Sequence, residues 1–220
     1  RSVVSDRPKP MALVEGKPFL EYVLQGLKKS GIDDIIFAVG YKGGMVEEYF
    51  GDGSRFGIRA RYAYEEELLG TAGAIKNAGK YVTDEQFFVL NGDTFYQMDF
   101  GDLSRIQQEK NLELALVLRG VPDISRYGAA RLTDGLLTAF NEKNGNTGAG
   151  TINGGVYLMK RALLDEIPEG KVSLENECIP RWMQEGRRLG GIVNGYFIDI
   201  GVPEDYFRFQ EDVRKGDITW

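Results

Sequence analysis

The chain has 220 residues, 42% of them hydrophobic and 27% charged, with a net charge of −6. That length suits one well-packed domain and leaves little room for a second, and the acidic balance argues against broad, sequence-independent nucleic-acid binding, which needs a basic face. The sequence contains no histidine and one cysteine, Cys178, which excludes Cys/His zinc sites, Ser-His-Asp triads and an intramolecular disulfide, so that any metal must rest on oxygen ligands, as Mg²⁺ does.

The elements alternate from the start. Residues 17–30 carry Phe19, Leu20, Val23, Leu24 and Leu27 at helical spacing, with Gly31 as a stop. Asp34–Val39 is a short, nearly continuous apolar run and reads as a buried strand. Residues 44–50 read as a short helix, Gly51–Gly57 as a turn-rich stretch and Ile58–Tyr64 as a strand. A helix over 71–80 precedes a buried strand at Gln86–Leu90, then a helix at 102–110 and a strand at 112–118. The second half is richer in strands, at 127–132, 136–141, 151–158, 189–194 and 196–200, with helices at 160–166, 173–185 and 203–214. No repeat, linker or low-complexity tract interrupts this order. The expectation is a single α/β domain over 1–220: a Rossmann-like, three-layer αβα arrangement with a mixed, mostly parallel sheet and extra strands in its second half. In such sheets ligands bind at the carboxyl ends of strands. No apolar run approaches the roughly 18–20 residues of a membrane span, so no membrane partner is expected. No signal peptide is visible, and a lone cysteine fits a cytoplasmic protein.

Several segments are candidates for chemistry. Leu90-Asn91-Gly92-Asp93 presents an aspartate where a buried strand ends, although a local turn bond is the commoner use of such an Asp. Ile198-Asp199-Ile200-Gly201 sets a carboxylate among isoleucines, where it needs a partner or a metal. These two aspartates can share one Mg²⁺ and leave coordination positions for phosphate oxygens. Leu69–Ala74 leads small residues into a helix, which admits a close ligand or simple close packing. Arg7-Pro8-Lys9-Pro10 is held extended by its prolines and projects two cations. Phe140-Asn141-Glu142-Lys143 ends a strand with opposite charges, and Thr151–Gly155 can offer Asn153 to a hydroxylated ligand or make an ordinary bend.

The order of these segments is more specific than any one of them. Pro8-Lys9-Pro10, Gly16-Lys17-Pro18, Tyr49–Gly53, the LGTAG run at 69–73, Asn91-Gly92-Asp93, Tyr127-Gly128, Glu142-Lys143, Ile152–Gly155 and Gly195–Gly201 together resemble the sugar-1-phosphate nucleotidyltransferase family over essentially the whole chain. Ser5–Ala12 looks most like the branch that guanylylates D-glycero-D-manno-heptose 1-phosphate. The resemblance implies an enzyme that joins a sugar 1-phosphate to a nucleoside triphosphate and releases pyrophosphate. It implies that Asp93 and Asp199 hold Mg²⁺ and that Lys9 contacts the reacting phosphates. Gly70, Thr71 and Gly92 would lie on the nucleotide side, and Gly128, Glu142, Lys143 and Asn153 on the sugar-phosphate side. Glu65, four residues before the leucine of LGTAG, would face the base edge. A carboxylate accepts only, which matches the adjacent N1–H and N2–H₂ donors of guanine better than the acceptor–donor–acceptor edge of uracil or thymine. The alternative to this guanine reading is that Glu65 is one residue of a solvated acidic run, Glu65–Glu67.

Asn144 stands where the family usually has proline, and Gly154 where it often has alanine. Both departures fall on the sugar side and leave the sugar open, with mannose or glucose 1-phosphate as alternatives. The family's GGxGTR-like loop, which wraps the triphosphate, would stand immediately before Arg1. Arg1–Val4 reads as its continuation, so the sequence is expected to begin inside the domain. The oligomeric state is not legible. Two other classes share this fold: a glycosyltransferase consuming a nucleotide sugar, which lacks the Pro-Lys-Pro and LGTAG segments, and a non-catalytic regulatory homologue.

Overall fold

The computed structural model describes residues 6–125, 129–141 and 147–218. Its elements, in chain order, are β1 (Leu13–Val14), β2 (Lys17–Pro18), α1 (Phe19–Lys29), β3 (Asp34–Val39), α2 (Gly44–Phe50), β4 (Arg59–Tyr64), α3 (Gly70–Ala78), β5 (Gln86–Leu90), β6 (Thr94–Tyr96), α4 (Phe100–Lys110), β7 (Leu114–Val121), β8 (Ala129–Thr133), β9 (Leu136–Asn141), β10 (Gly150–Lys160), α5 (Leu163–Glu166), α6 (Ile179–Gln184), β11 (Leu189–Asn194), β12 (Phe197–Asp199) and α7 (Pro203–Lys215). They fall into two compact units. The first comprises residues 1–66, 91–99 and 196–220, and the second residues 67–90 and 100–195.

In the first unit β3 and β4 pair in parallel from Asp34–Arg59 to Val39–Tyr64. β1 and β2 form a small hairpin whose turn residues, Glu15 and Gly16, both have positive φ, as a tight two-residue turn requires. β6 and β12, distant in sequence, pair antiparallel. What holds this unit together is aromatic. Phe209 of α7 is fully buried, with ring centroids of Phe19, Tyr22 and Phe95 at 5.1, 5.5 and 5.0 Å. Burying such a ring contributes roughly 1.5–3 kcal/mol, and here it binds α1, β6 and α7 to one point. A second aromatic group, Phe37, Phe50 and Tyr62, stacks α2 on β3 and β4.

The second unit is built on a six-stranded sheet in the order β5-β10-β7-β11-β9-β8, with β10 also touching β8 where Ile152 pairs with Ala129. Leu114–Leu118 of β7 are all buried, as a central strand requires. Trp182, Leu174, Ile179 and Cys178 pack into the same core from the C-terminal side of the unit's chain. β10 carries an irregularity between Asn153 and Tyr157, and Gly155 there has φ +72°. This is a bulge, the feature that re-aims side chains at strand interruptions.

The α/β class and the mixed sheet match expectation, with a different balance of pairing. Among the described residues β3–β4 and β7–β11 pair in parallel, and the other ladders are antiparallel. The expected helix over 173–185 begins as one wide, π-type turn at Leu174–Cys178 before α6. Pro180 explains the widening, since it has no N–H for the Asn176 carbonyl and its ring would crowd that group in a regular helix. β6 had no visible signal, because three residues carry no period.

β11 lies so close to β7 that a Cβ on Gly191 would sit 1.8 Å from the Leu116 carbonyl oxygen. Gly191→Ala is therefore expected to lower stability by about 2–3 kcal/mol or more in urea unfolding. Gly120→Ala, where a Cβ meets open space, should change it by no more than about 0.5 kcal/mol.

Candidate active site

In the first unit, the β6–β12 ladder sets Thr94 opposite Asp199, and the Ile200 N–H donates to the Asp93 carbonyl at 3.0 Å. The two aspartates thus stand at neighbouring strand ends. Lys9, in a single helical turn at Lys9–Met11, reaches Asp93 with its Nζ 3.6 Å from Oδ2. Gly201 completes the crowding: a Cβ there would lie 2.9 Å from Asp199 Oδ1 and 3.1 Å from Lys9 Nζ. Gly92 packs under Pro10, whose Cγ would be 3.1 Å from an added Cβ. Lys9, Gly92, Asp93 and Asp199 are therefore brought together.

Asp199 is held by backbone on both sides. Its Oδ1 accepts from the Gly201 N–H at 2.8 Å, and its own N–H donates to Asp205 Oδ2 at 3.2 Å. Asp205 is braced in turn by Arg208 at 3.0 Å, which also donates to the Phe197 carbonyl. Burial pushes the Asp199 carboxyl above the usual carboxylate range, and the Asp93 and Asp205 charges push the same way. The Gly201 N–H and Lys9 pull it back only in part. A half-buried carboxylate with a second carboxylate beside it is a donor set suited to a hard cation, and every donor is oxygen. Among the described residues no group of three or more His, Cys, Asp or Glu forms a larger metal cluster.

Glu65 follows β4 directly, and its N–H donates to the Val39 carbonyl at 2.9 Å. It is half-buried, whereas Glu66 and Glu67 are exposed. That separates it from a uniformly solvated acidic loop.

In the second unit, Gly70 and Thr71 open α3. Gly70 has φ +70°, and a Cβ there would lie 2.6 Å from the Val172 carbonyl oxygen. That same carbonyl accepts from the N–H groups of Ala72 and Gly73. The small residues of LGTAG thus serve close packing on residues 170–172, and these two amides of the helix start are already engaged. Thr71 donates to Glu175 Oε2 at 2.6 Å and accepts from the Leu174 N–H at 2.7 Å. Tyr157 donates to Glu175 Oε1 at 2.9 Å and accepts from Asn153 Nδ2 at 2.5 Å. Thr71 and Asn153 are therefore joined through one buried tyrosine and one glutamate, while Gly70 packs on Val172. Gly128, Glu142 and Lys143 lie outside the described residues.

The family described as Nucleotidyl transferase matches residues 1–216. The chain belongs to that family. It is 40% identical to D-glycero-alpha-D-manno-heptose 1-phosphate guanylyltransferase of Aneurinibacillus thermoaerophilus, over 97% of this chain and 93% of the relative. It is likewise 40% identical to the enzyme of the same name from Campylobacter jejuni, over 95% and 92%. Its fold is similar to that of HddC from Yersinia pseudotuberculosis complexed with GMP-PN, with a TM-score of 0.83, 33% identity and coverage of 97% and 93%. No helix among the described residues of this nucleotidyltransferase is long and apolar enough to cross a membrane.

Asp205, Tyr157 and Glu175 were not found from the sequence. Asp205 had a weak signal as an acidic residue in the first turn of α7. Glu175 and Tyr157 had none, since only the folded chain brings them to Thr71 and Asn153.

The raised pKa of Asp199 has a consequence for stability. Between the ordinary carboxylate value of 3.8 and its own raised value, the folded protein binds the proton that the unfolded chain releases. The site therefore costs stability as pH rises through that window. Asp199→Asn is expected to be more stable than the parent at pH 7, measured by urea unfolding without divalent cations. The difference should shrink as pH falls to about 4.

Proposed function

We propose that this nucleotidyltransferase joins D-glycero-D-manno-heptose 1-phosphate to GTP, giving a GDP-sugar and pyrophosphate in the cytoplasm, with 1–220 acting as a single nucleotidyltransferase domain. The observation that carries the reaction is the convergence of Lys9, Asp93 and Asp199 at neighbouring strand ends. The names of the 40%-identical relatives support the choice of sugar and base, and Glu65 supports guanine.

The chemistry suits a protein without histidine. The second pKa of a phosphate monoester is about 6, so the sugar phosphate is already largely ionised at neutral pH and needs no general base. Its oxygen attacks the α-phosphorus of the nucleotide, the α–β bond breaks, and pyrophosphate leaves with the electron pair. The obstacle is repulsion between two anions. Asp93 and Asp199 would hold Mg²⁺, which supplies charge neutralisation at the phosphates when bound. Lys9 adds a positive charge at the same place, and positioning supplies much of the rest. Glu65, Gly70, Thr71 and Gly92 bind the nucleotide. Gly128, Glu142, Lys143 and Asn153 bind the sugar phosphate, with Lys143 as its counter-charge.

Pyrophosphate release from a matrix of GTP, UTP, dTTP and CTP against heptose, mannose and glucose 1-phosphates tests this reading. GTP with the heptose is the expected best pair. A pyrimidine preference overturns the base, another sugar overturns the acceptor, and no turnover in any cell favours a regulatory homologue. Asp93→Asn and Asp199→Asn should each reduce pyrophosphate release by about 100-fold or more while remaining folded. Normal turnover in both would refute the metal assignment.

A further inference from the structure

We propose that Glu175 couples recognition of the two substrates by holding Thr71 directly and Asn153 through Tyr157 in one directed chain of hydrogen bonds. The inference rests on the reading above, in which Thr71 lies on the nucleotide side and Asn153 on the sugar-phosphate side.

The direction of the chain follows from the carboxylate. Glu175 can only accept. Its Oε2 takes the Thr71 hydroxyl at 2.6 Å and the Ser173 hydroxyl at 3.3 Å, and its Oε1 takes the Tyr157 hydroxyl at 2.9 Å. Tyr157 has one proton to give, and Glu175 receives it. Tyr157 must then accept from Asn153, which turns the amide nitrogen toward it at 2.5 Å and leaves Asn153 Oδ1 to accept from the Gly155 N–H at 3.2 Å. Both ends of the Asn153 amide are fixed in this way, so its remaining N–H and lone pair point where the chain sends them. Thr71 is fixed likewise, giving its one proton to Glu175 and accepting from Leu174. Tyr157, the middle of the relay, is 1% exposed, so its two bonds are partly shielded from water and costly to break, whereas the Thr71 end lies exposed.

Two local irregularities put these groups in place. Glu175 sits on the wide turn at Leu174–Cys178, whose start is capped by Ser173 accepting from the Asn176 N–H at 3.1 Å. Glu177 closes the cap by accepting from the Ser173 N–H at 2.8 Å. Asn153 sits at the β10 bulge. Wide turns and bulges each cost regular hydrogen bonding, and both concentrate at functional sites. Glu175 and Tyr157 are positioning residues, acting through Thr71 and Asn153.

The test compares KM for GTP and for the sugar 1-phosphate in the parent, Tyr157→Phe, Thr71→Val and Glu175→Gln. Tyr157→Phe should raise the sugar-phosphate KM about tenfold, the scale of one neutral hydrogen bond, and leave the GTP KM within about twofold. Thr71→Val should do the reverse, and Glu175→Gln should raise both. Adding Tyr157→Phe to Glu175→Gln should cost little more than Glu175→Gln alone, because the relay is already cut. Unchanged KM values in Tyr157→Phe, or full additivity in the double variant, would overturn the proposal. Side-chain amide resonances of asparagine-labelled free protein give a readout independent of turnover. The Asn153 NH₂ signals should shift in Tyr157→Phe and again in Glu175→Gln, and their staying in place also overturns it. A parent that binds both substrates without releasing pyrophosphate refutes the catalytic reading alone. Should Glu175→Gln fail to fold, the Tyr157→Phe kinetics and spectra decide.

Discussion

The pairing of β6 with β12 is the constraint on which the meeting of Asp93 and Asp199 depends. Asp93 and Asp199 come from distant parts of the chain, and neither has reason to approach the other until Thr94 pairs with Asp199 and the Ile200 amide meets the Asp93 carbonyl. A ladder of three residues is too short to persist alone. Phe95 on β6 and Phe209 on α7 give it a hydrophobic anchor, and Phe19 and Tyr22 of α1 close the same cluster. The approach of the two aspartates in this unit thus depends on aromatic burial a few residues away.

Electrostatics follow from that geometry. The fold holds a carboxylate in a partly buried position, with a second carboxylate beside it and a third at its backbone N–H. Left to itself such a site is destabilising. It becomes favourable when positive charge arrives, and Lys9 supplies part of it. This is the usual relation between a working site and the stability of its scaffold: the groups that a ligand needs are those the empty fold would prefer to lose. Without histidine, the protein lacks the side chain whose ordinary pKa lies near neutrality, which suits a reaction whose nucleophile is already ionised.

The second unit solves a different problem with polar groups. The glycines of LGTAG let α3 approach residues 170–172 so closely that a Cβ would collide with the Gly170 or Val172 carbonyl. That approach brings Thr71 to Glu175. The interest of the segment lies less in free amides at a helix start than in the side chain it delivers to a shared carboxylate.

Much of this was legible in the sequence. Apolar periods marked the positions of α1, β3, α2, β4, α3, β5, α7 and most strands of the second half, because each buries one face or a whole short run. The ordered motifs marked Lys9, Asp93 and Asp199, because glycine, proline and an aspartate at a strand end are constrained by local backbone and chemistry. β6, the wide turn at Leu174–Cys178 and the balance toward antiparallel pairing were not legible, since each depends on partners far away in the chain. The same holds for Asp205, Tyr157 and Glu175, whose neighbours in sequence say nothing of their contacts. By itself, then, the sequence determined the family, the α/β class and the absence of histidine chemistry, and it named Lys9, Asp93 and Asp199 as candidates. Only the tertiary structure decided that Asp199 is half-buried beside Asp93 and that Thr71 and Asn153 are linked through one carboxylate, because distance and burial between remote residues exist only once the chain has packed.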